Sequence, residues 1–453
     1  MQTFDLIVIG AGSGLNISSS AAEKGMKVAV VEKGPMGGTC LNRGCIPSKI
    51  IIHSADVAET IRKSKQFGIT SRIFSIDFKK ITARASNIVD KDAREIEKGI
   101  GEDKNTTLFK TEARFIAERT LRVGKETIKG DKVVIAAGTR PSIPNIDGLK
   151  DVDFITSDEA LRLKKLPKSM TILGGGYIAA ELAHFYGSLG TKISIIQRNK
   201  YLVPNEDEEI SKKFTELFSK KYNVLAGFEA SKVAKKGKNF VVTVKSSSRT
   251  KKLVSDQLLV AAGRMPNSDL LDLHKSNIDI DKKRFIKTNQ FLETSAKNIW
   301  AFGDIAGKFL FKHSANLEAQ YIYNNAVLGK RIPVDYAAMP HAIFSSPQIA
   351  GVGMTEDQLK EKKINYAVGR YDYIQSGMGQ SLQDTDGFVK ILADRKTRKI
   401  LGCHILGTDA STLIHEVIIV MKNNLSVDAM SDAVHIHPAL SEVVQRAANN
   451  IGW

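Results

Sequence analysis

Cys40 and Cys45 stand five positions apart in GGTCLNRGCIPSK, residues 37–49, and the chain has only one other cysteine. Two close thiols can bind a metal, fill a core, or cycle between dithiol and disulfide. A metal site needs further soft or imidazole ligands. The third cysteine, Cys403, lies in the alternating apolar run KILGCHILG and reads as a small buried side chain, and no histidines show zinc spacing, so no metal is expected. Three cysteines are also too few for a secreted disulfide scaffold, and in a reducing compartment a close pair reads as catalytic. On a regular helix residues five apart have Cα atoms roughly 8–9 Å from each other, beyond the ~7 Å reach of a disulfide. A redox pair therefore requires a break between the cysteines, and Gly44 offers one. A helix start at this point would favour a thiolate. Exchange also needs a base, and HIHPALSE (435–442) offers His437 with Glu442 to fix its tautomer. Taken alone, that stretch reads more often as a structural turn.

The elements that would hold these groups occur in two copies. DLIVIGAGSGLNISSSAAEKGMKVAVVEKG reads as strand, glycine turn, helix and second strand ending at Glu32, and MTILGGGYIAAELAHFYGSLGTKISIIQRN, from Met170, repeats that order. Gly10 and Gly12, and Gly174 and Gly176, allow a tight turn and close backbone approach, while the following helix presents free N–H groups to a diphosphate. Two such signals in the right context predict two dinucleotide sites. The first copy departs from the fingerprint: Leu15 occupies the third glycine position, which implies a shifted helix unless Gly14 compensates. At the strand ends Gln197, followed by Arg198, replaces Glu32. A carboxylate there suits a ribose 2′-hydroxyl, whereas a neutral residue beside an arginine accepts a 2′-phosphate, so the second site leans toward NADPH. The alternative leaves Arg198 in solvent and admits either nicotinamide cofactor.

The 453 residues imply several domains, and 42% apolar with 25% charged residues and only 11 prolines argue for a globular chain. No apolar run approaches a membrane span, and the N-terminus reads as a strand rather than a signal peptide, so a cytoplasmic protein without a membrane partner is expected. The net charge of +17 has no aromatics interleaved with its clusters, such as Lys212-Lys213, Lys220-Lys221 and Lys235-Lys236-Lys238. That pattern reads as a solvated basic face that attracts anionic cofactors and substrates, not as a nucleic-acid site.

GGTCLNRGCIPSK, the two glycine motifs, VVIAAGTRP (133–141), LLVAAGRMPN (258–267), AFGDIAG (301–307) and HIHPALSE together resemble the flavin-dependent pyridine nucleotide–disulfide oxidoreductases over nearly the whole chain. The resemblance implies an α/β protein with two Rossmann-like domains, one for FAD and one for NAD(P)H, and a C-terminal α+β dimerisation domain. The motifs divide it into residues 1–147 and 269–335 for FAD, 148–268 for the nicotinamide nucleotide, and 336–453 for the interface. In the last part, strands are expected in HAIFSSPQIAGVG, FVKILAD and KILGCHILG, with helices near 355–362, 410–423 and 439–449.

By resemblance Cys45 is the flavin-proximal, charge-transfer thiol and Cys40 the interchange thiol. Lys49 sits by the flavin and pairs with Glu181, and His437 with Glu442 comes from the opposite subunit of a homodimer, giving a shared active site. FAD is expected at Gly10, Gly12, Gly14, Glu32, Lys33, Gly38, Thr39, Lys49, Ala137, Gly138, Gly303 and Asp304. The nicotinamide nucleotide is expected at Gly174, Gly176, Tyr177, Ile178, Gln197, Arg198 and Gly263. His313 reads as a helix-start residue near the cofactor and His341 as structural.

The substrate divides the resemblance. CLNRGCIPSK and HPALSE resemble dihydrolipoamide dehydrogenases, which oxidise the dithiol of a lipoyl domain, and this is the leading expectation. GAGSG without its third glycine, YIAAELAHFYGSLG, and the stretch from KHSANLEA to HPAL resemble mycothione reductases, which use NADPH to reduce a small-thiol disulfide. The chain ends VVQRAANNIGW, without the C-terminal cysteine pair of mercuric reductases, which disfavours that specialisation. A non-catalytic, flavin-containing binding protein is a further alternative, disfavoured by intact Cys40, Cys45, His437 and Glu442.

Overall fold

A computed structural model describing all 453 residues turns the first apolar run into the strand Gln2–Ile9, whose Leu6–Ile9 half is at most 4% exposed. Burial on both faces is what a central parallel strand requires. Gln2–Ile9 pairs in parallel with Val28–Val31 on one side and Glu126–Ile135 on the other. Thr106–Phe109 joins beyond Val28–Val31, and Ile299–Ala301 pairs in parallel with the end of Glu126–Ile135. The chain thus leaves this sheet and returns to it after residue 298. Ala113–Ala117 and Thr120–Val123 extend it antiparallel.

The second copy builds its own parallel sheet from Asn223–Ala226, Lys192–Gln197, Ser169–Leu173 and Gln257–Val260, in that spatial order. An antiparallel sheet of Glu229–Lys236, Asn239–Lys245 and Thr250–Ser255 packs beside it through Val233, Phe240, Val242 and Val244. A short antiparallel ribbon, Thr139–Pro141 against Arg264–Pro266, joins the two halves. Its strands follow Ala-Ala-Gly at 136–138 and at 261–263, so the repeat in sequence becomes a repeat in space.

The third unit is a five-stranded antiparallel sheet, from Pro340–Ile343 to Ile400–Gly407, with helices Glu356–Glu361, Ala410–Lys422 and Glu442–Asn449. The last helix starts later than the sequence suggests because residues 439–441 form a turn capped by Glu442, which accepts from the Ala439 N–H at 3.2 Å. Cys403 is fully buried in that sheet's core with Ile391, Ile405 and Val443, and burial pushes its thiol up.

Two contacts fix what the site depends on. Helix Cys45–Lys63 packs Ile51, Ile52 and Ala55 into one apolar cluster with Ala179, Leu182 and Ala183 of helix Tyr177–Ser188. Each large aliphatic buried there contributes about 1.5–3 kcal/mol. His184, fully buried, adds a 2.8 Å contact to Asp56. The second half is tied to the third unit by Lys390, whose buried ammonium meets Asp207 at 2.8 Å, Glu356 at 2.7 Å and Glu209 at 3.4 Å. These carboxylates raise the pKa of Lys390 against the opposing effect of burial. The lysine clusters on the surface are partly engaged: Lys213 pairs with Asp386, Lys221 with Glu59 and Lys235 with Asp153.

Candidate functional site

The segment around the cysteines is broken where the disulfide argument demands it. Helix Gly38–Arg43 carries Cys40, helix Cys45–Lys63 begins with Cys45, and Gly44 between them takes φ −143° and ψ −115°. A Cβ on Gly44 would lie 3.0 Å from the Thr39 carbonyl oxygen and 3.4 Å from the Cys40 Cα, so the break fits a side chain only if that backbone gives by a few tenths of an ångström. Asn42 braces the first helix by donating to the Met36 and Gly38 carbonyls at 2.7 and 3.0 Å.

Both thiols are free, Cys40 half-buried and Cys45 exposed. The two thiols influence each other: the neighbouring Cys40 draws the Cys45 pKa down to about 7, while Cys45 and burial push Cys40 up. The Lys49 ammonium adds to the lowering, opposed by desolvation and by Glu181. The pair therefore has a direction: the negative charge is favoured at Cys45 and the proton at Cys40.

Lys49 donates to both oxygens of Glu181, at 2.8 and 2.9 Å, across the two packed helices. Phe344 completes this contact from the third unit. Its backbone N–H donates to Glu181 Oε1 at 3.0 Å, and its ring lies under the Lys49 ammonium at 4.4 Å. One turn before Glu181 stands Tyr177, 36% exposed, whose phenol is raised above its ordinary value chiefly by desolvation. The charges of Arg264, Asp304, Glu181 and Cys45 all reach it, so the second glycine motif, the cysteine segment and residues of both halves converge here. Asp304 accepts from Thr139 Oγ1 at 2.8 Å, while Arg264 donates to the same Thr139 through Oγ1 at 2.7 Å and the carbonyl at 2.9 Å. Burial raises the pKa of the Asp304 carboxyl.

Phe344, Thr139 and Arg264 were not singled out by sequence reasoning. Thr139 and Arg264 do sit in the two AAG motifs, which was the available signal; Phe344 offers none, because its role is made by its backbone N–H and its tertiary position.

The glycine turns have the same backbone logic. Gly10 at φ +107° would put a Cβ 2.3 Å from the Ala136 oxygen, and Gly174 at φ +114° would put one 2.2 Å from the Ala261 oxygen. A Cβ on Gly38 would fall 2.8 Å from the Gly12 Cα, so the cysteine helix starts directly against the first turn. Gly138 and Gly263 face open space at positive φ, as does Gly176 with an extended backbone. Gly14, not position 15, makes the close helix–strand contact: a Cβ there would meet Val8 Cγ1 at 2.8 Å. The compensation expected for Leu15 is present.

Glu32 is pinned by the N–H groups of Ala11 and Gly34, at 2.9 and 2.7 Å. Gln197 is buried with its stem against Gly175, whereas Arg198 is exposed and forms no ion pair. Lys33 is exposed and pairs with Glu112 at 3.2 Å, Thr39 lies beside Cys40, and Ile178 follows Tyr177 half-buried. Gly303 donates its N–H to buried Glu318 at 2.6 Å, holding the turn that bears Asp304. These features fit two dinucleotides: glycine cradles that a Cβ would fill, helix starts without acidic residues, and a buried carboxylate with one side-chain partner.

His437 Nδ1 lies 3.1 Å from both oxygens of Glu442, which lowers the pKa of that carboxyl. The imidazole is 76% exposed, so Nε2 faces outward. No hydrogen bond or ion pair joins it to the cysteine pair of its own chain. Val434 and Ile436 beside it are 100% and 79% exposed, an apolar presentation that a lone chain leaves bare. His341 accepts a structural role, contacting Glu206 at 2.7 Å, and His313, second in helix Lys312–Ile322, contacts the Pro340 carbonyl at 2.7 Å.

No helix is long and apolar enough to cross a membrane, and no cluster of three or more ligating side chains suits a metal. Residues 4–326 match the pyridine nucleotide-disulphide oxidoreductase family, and residues 339–448 match its dimerisation domain, which indicates a homodimer. The chain is 35% identical to a mycothione reductase of Mycobacterium tuberculosis, with 99% of each chain covered. It is 32% identical to a dihydrolipoyl dehydrogenase of Bacillus subtilis, covering 98% of this chain and 95% of that one. An HOCl-induced flavoprotein disulfide reductase from Escherichia coli, solved as a copper(II) complex, superposes with a TM-score of 0.88 at 27% identity over 99% of both chains.

Proposed function

The chain belongs to the pyridine nucleotide-disulphide oxidoreductase family, and from that premise we propose that it uses NADPH to reduce a small-thiol disulfide at Cys40 and Cys45. Gln197-Arg198 and the 35% identity to a mycothione reductase favour this reading over the lipoyl dithiol that CLNRGCIPSK suggests. The observation that carries the exchange chemistry is the polarised dithiol beside the Lys49–Glu181 pair. Arg198, an exposed guanidinium without a carboxylate at the strand end of the second site, carries the choice of NADPH.

FAD, when bound, relays electron pairs between nicotinamide and dithiol. Gly10, Gly12, Gly14, Glu32, Gly38, Thr39, Gly138 and Asp304 would hold it, and Gly174, Gly176, Tyr177, Gln197 and Arg198 the nicotinamide nucleotide. Residues 1–147 and 269–335 would make the first site, 148–268 the second, and 336–453 the dimer interface of a cytoplasmic enzyme. His437 Nε2, from the partner subunit, takes the proton from Cys40 while Glu442 fixes the ring. The Cys40 thiolate attacks one substrate sulfur, breaking the S–S bond. The departing thiolate receives the proton from His437. The Cys45 thiolate then attacks Cys40 Sγ, closing the protein disulfide and expelling the second substrate thiolate, which leaves protonated by solvent.

A second reading, dihydrolipoyl dehydrogenase activity with NAD⁺ and a lipoyl domain, is supported by CLNRGCIPSK and HPALSE and by the similarity to the Bacillus subtilis enzyme. Initial rates with NADPH or NADH and a panel of small disulfides, beside dihydrolipoamide with NAD⁺ or NADP⁺, separate the two. Fast NADPH-driven reduction of one disulfide is the expected outcome; faster NAD⁺-linked oxidation of dihydrolipoamide would replace the first reading by the second. In the reduced protein, alkylation of Cys45 should rise with pH through about 7, with Cys40 reacting only at higher pH. Equal pH profiles for the two thiols would remove the polarity on which the scheme depends.

A further inference from the structure

Two lysines bring their charge to the dithiol, and only one has a carboxylate. Lys49 is satisfied by both oxygens of Glu181. Lys312, the first residue of helix Lys312–Ile322, is half-buried, makes no ion pair, and donates to Ser13 Oγ at 2.9 Å. Ser13 stands between Gly12 and Gly14 in the turn itself, 8% exposed. It occupies the N-cap of helix Gly14–Glu23, yet its hydroxyl does not cap that helix. The hydroxyl donates instead to Asn316 Oδ1 at 2.9 Å, one turn along the Lys312 helix. The first N–H groups of helix Gly14–Glu23 are thereby left without a side-chain partner while an ammonium is held beside them. The ammonium has no counter-ion and the helix start has no side-chain cap, and an anion placed here would partner both.

We propose that Lys312 is a cofactor-binding residue of the first dinucleotide site, a cation for the diphosphate of FAD, delivered from the second segment of the chain and registered by Ser13 and Asn316. The inference rests on the FAD reading above. The second glycine turn has no counterpart: its helix is capped by Gly176, which has no side chain to hold a lysine. The alternative role for Lys312 is electrostatic support of Cys40, whose thiolate its charge also favours.

The test uses the purified full-length holoprotein and follows flavin release by fluorescence after dilution into 0.05 M or 1 M KCl. One lost charge-assisted contact predicts about tenfold faster release from Lys312→Met at low salt. The difference should shrink at high salt, and Lys312→Arg should release at the wild-type rate. A Lys312→Met protein that keeps its flavin like wild type at low salt, with slower Cys40 alkylation, overturns the proposal in favour of the cysteine role. Equal acceleration in Lys312→Met and Lys312→Arg overturns it in favour of packing alone. If Lys312→Met does not fold, Ser13→Ala serves, since loss of the registering hydroxyl predicts the same salt-dependent release, and a salt-independent rate overturns the proposal. A colourless wild-type protein would instead defeat the FAD reading itself.

Discussion

The two glycine turns share a backbone and differ in what meets it. In each, the first glycine has positive φ and presses on the carbonyl of an Ala-Ala-Gly segment, Ala136 for Gly10 and Ala261 for Gly174. One residue on, they part. Ala11 donates its N–H to the Glu32 carboxylate, whereas Gly175 receives the aliphatic stem of Gln197, and the adjoining Arg198 is left in solvent. The turn is held by backbone sterics, which are the same in both, while the choice of ribose falls to one side chain at a strand end. On the assignment proposed above, a single duplicated scaffold would hold two different dinucleotides, because the part that would bind the diphosphate is separate from the part that would discriminate.

The largest effects break the shared part. Gly10→Val and Gly174→Val each force a side chain onto a backbone oxygen at a left-handed position, a cost of several kcal/mol with no flexible neighbour to yield. Gly10→Val should purify without flavin. Gly174→Val should stay yellow and lose at least about a hundredfold in nicotinamide-driven flavin reduction, measured by stopped-flow bleaching. Loss of flavin from both variants would mean that the turns do not serve separate sites.

The next effect sharpens the difference between the turns. Arg198→Ala should lower kcat/KM for NADPH by about tenfold to a hundredfold, the value of one charge-assisted contact, and leave NADH unchanged. Adding Gln197→Glu should then favour NADH, because a carboxylate at this strand end reproduces what Glu32 presents. An Arg198→Ala enzyme with unchanged NADPH kinetics would assign the arginine to solvent.

How much of this was legible follows the same division. The turns, their strand ends and the break at Gly44 could be read from the chain because each rests on a local requirement: a glycine where a Cβ would crowd the backbone, or a residue type at the end of a strand. The polarity of the dithiol could be read only by resemblance, since it depends on how residues of two helices meet and on Lys49. Phe344 was illegible: it acts on Glu181 through a backbone N–H from another unit. His437 and Glu442 were legible as a pair, yet their outward aim and the bare Val434 and Ile436 around them appear only in three dimensions.

The smallest expected effect tests where the first turn departs from its fingerprint. The pattern assigns the close helix–strand contact to position 15, but Gly14 makes it, and Leu15 is half-buried on the adjoining apolar cluster. Leu15→Ala should therefore cost about 1 kcal/mol or less in denaturant unfolding, a partly exposed truncation. Gly14→Ala should cost more, about 1–3 kcal/mol, because its methyl would meet Val8 Cγ1 at 2.8 Å and Ala136 Cβ at 3.3 Å. The reverse order would place the contact at position 15 and make the two turns more alike than their glycines suggest. The predicted order would show that a dinucleotide helix can be re-registered by one residue while its first glycine stays locked to the same carbonyl, which is how the copies can diverge without either losing its cradle.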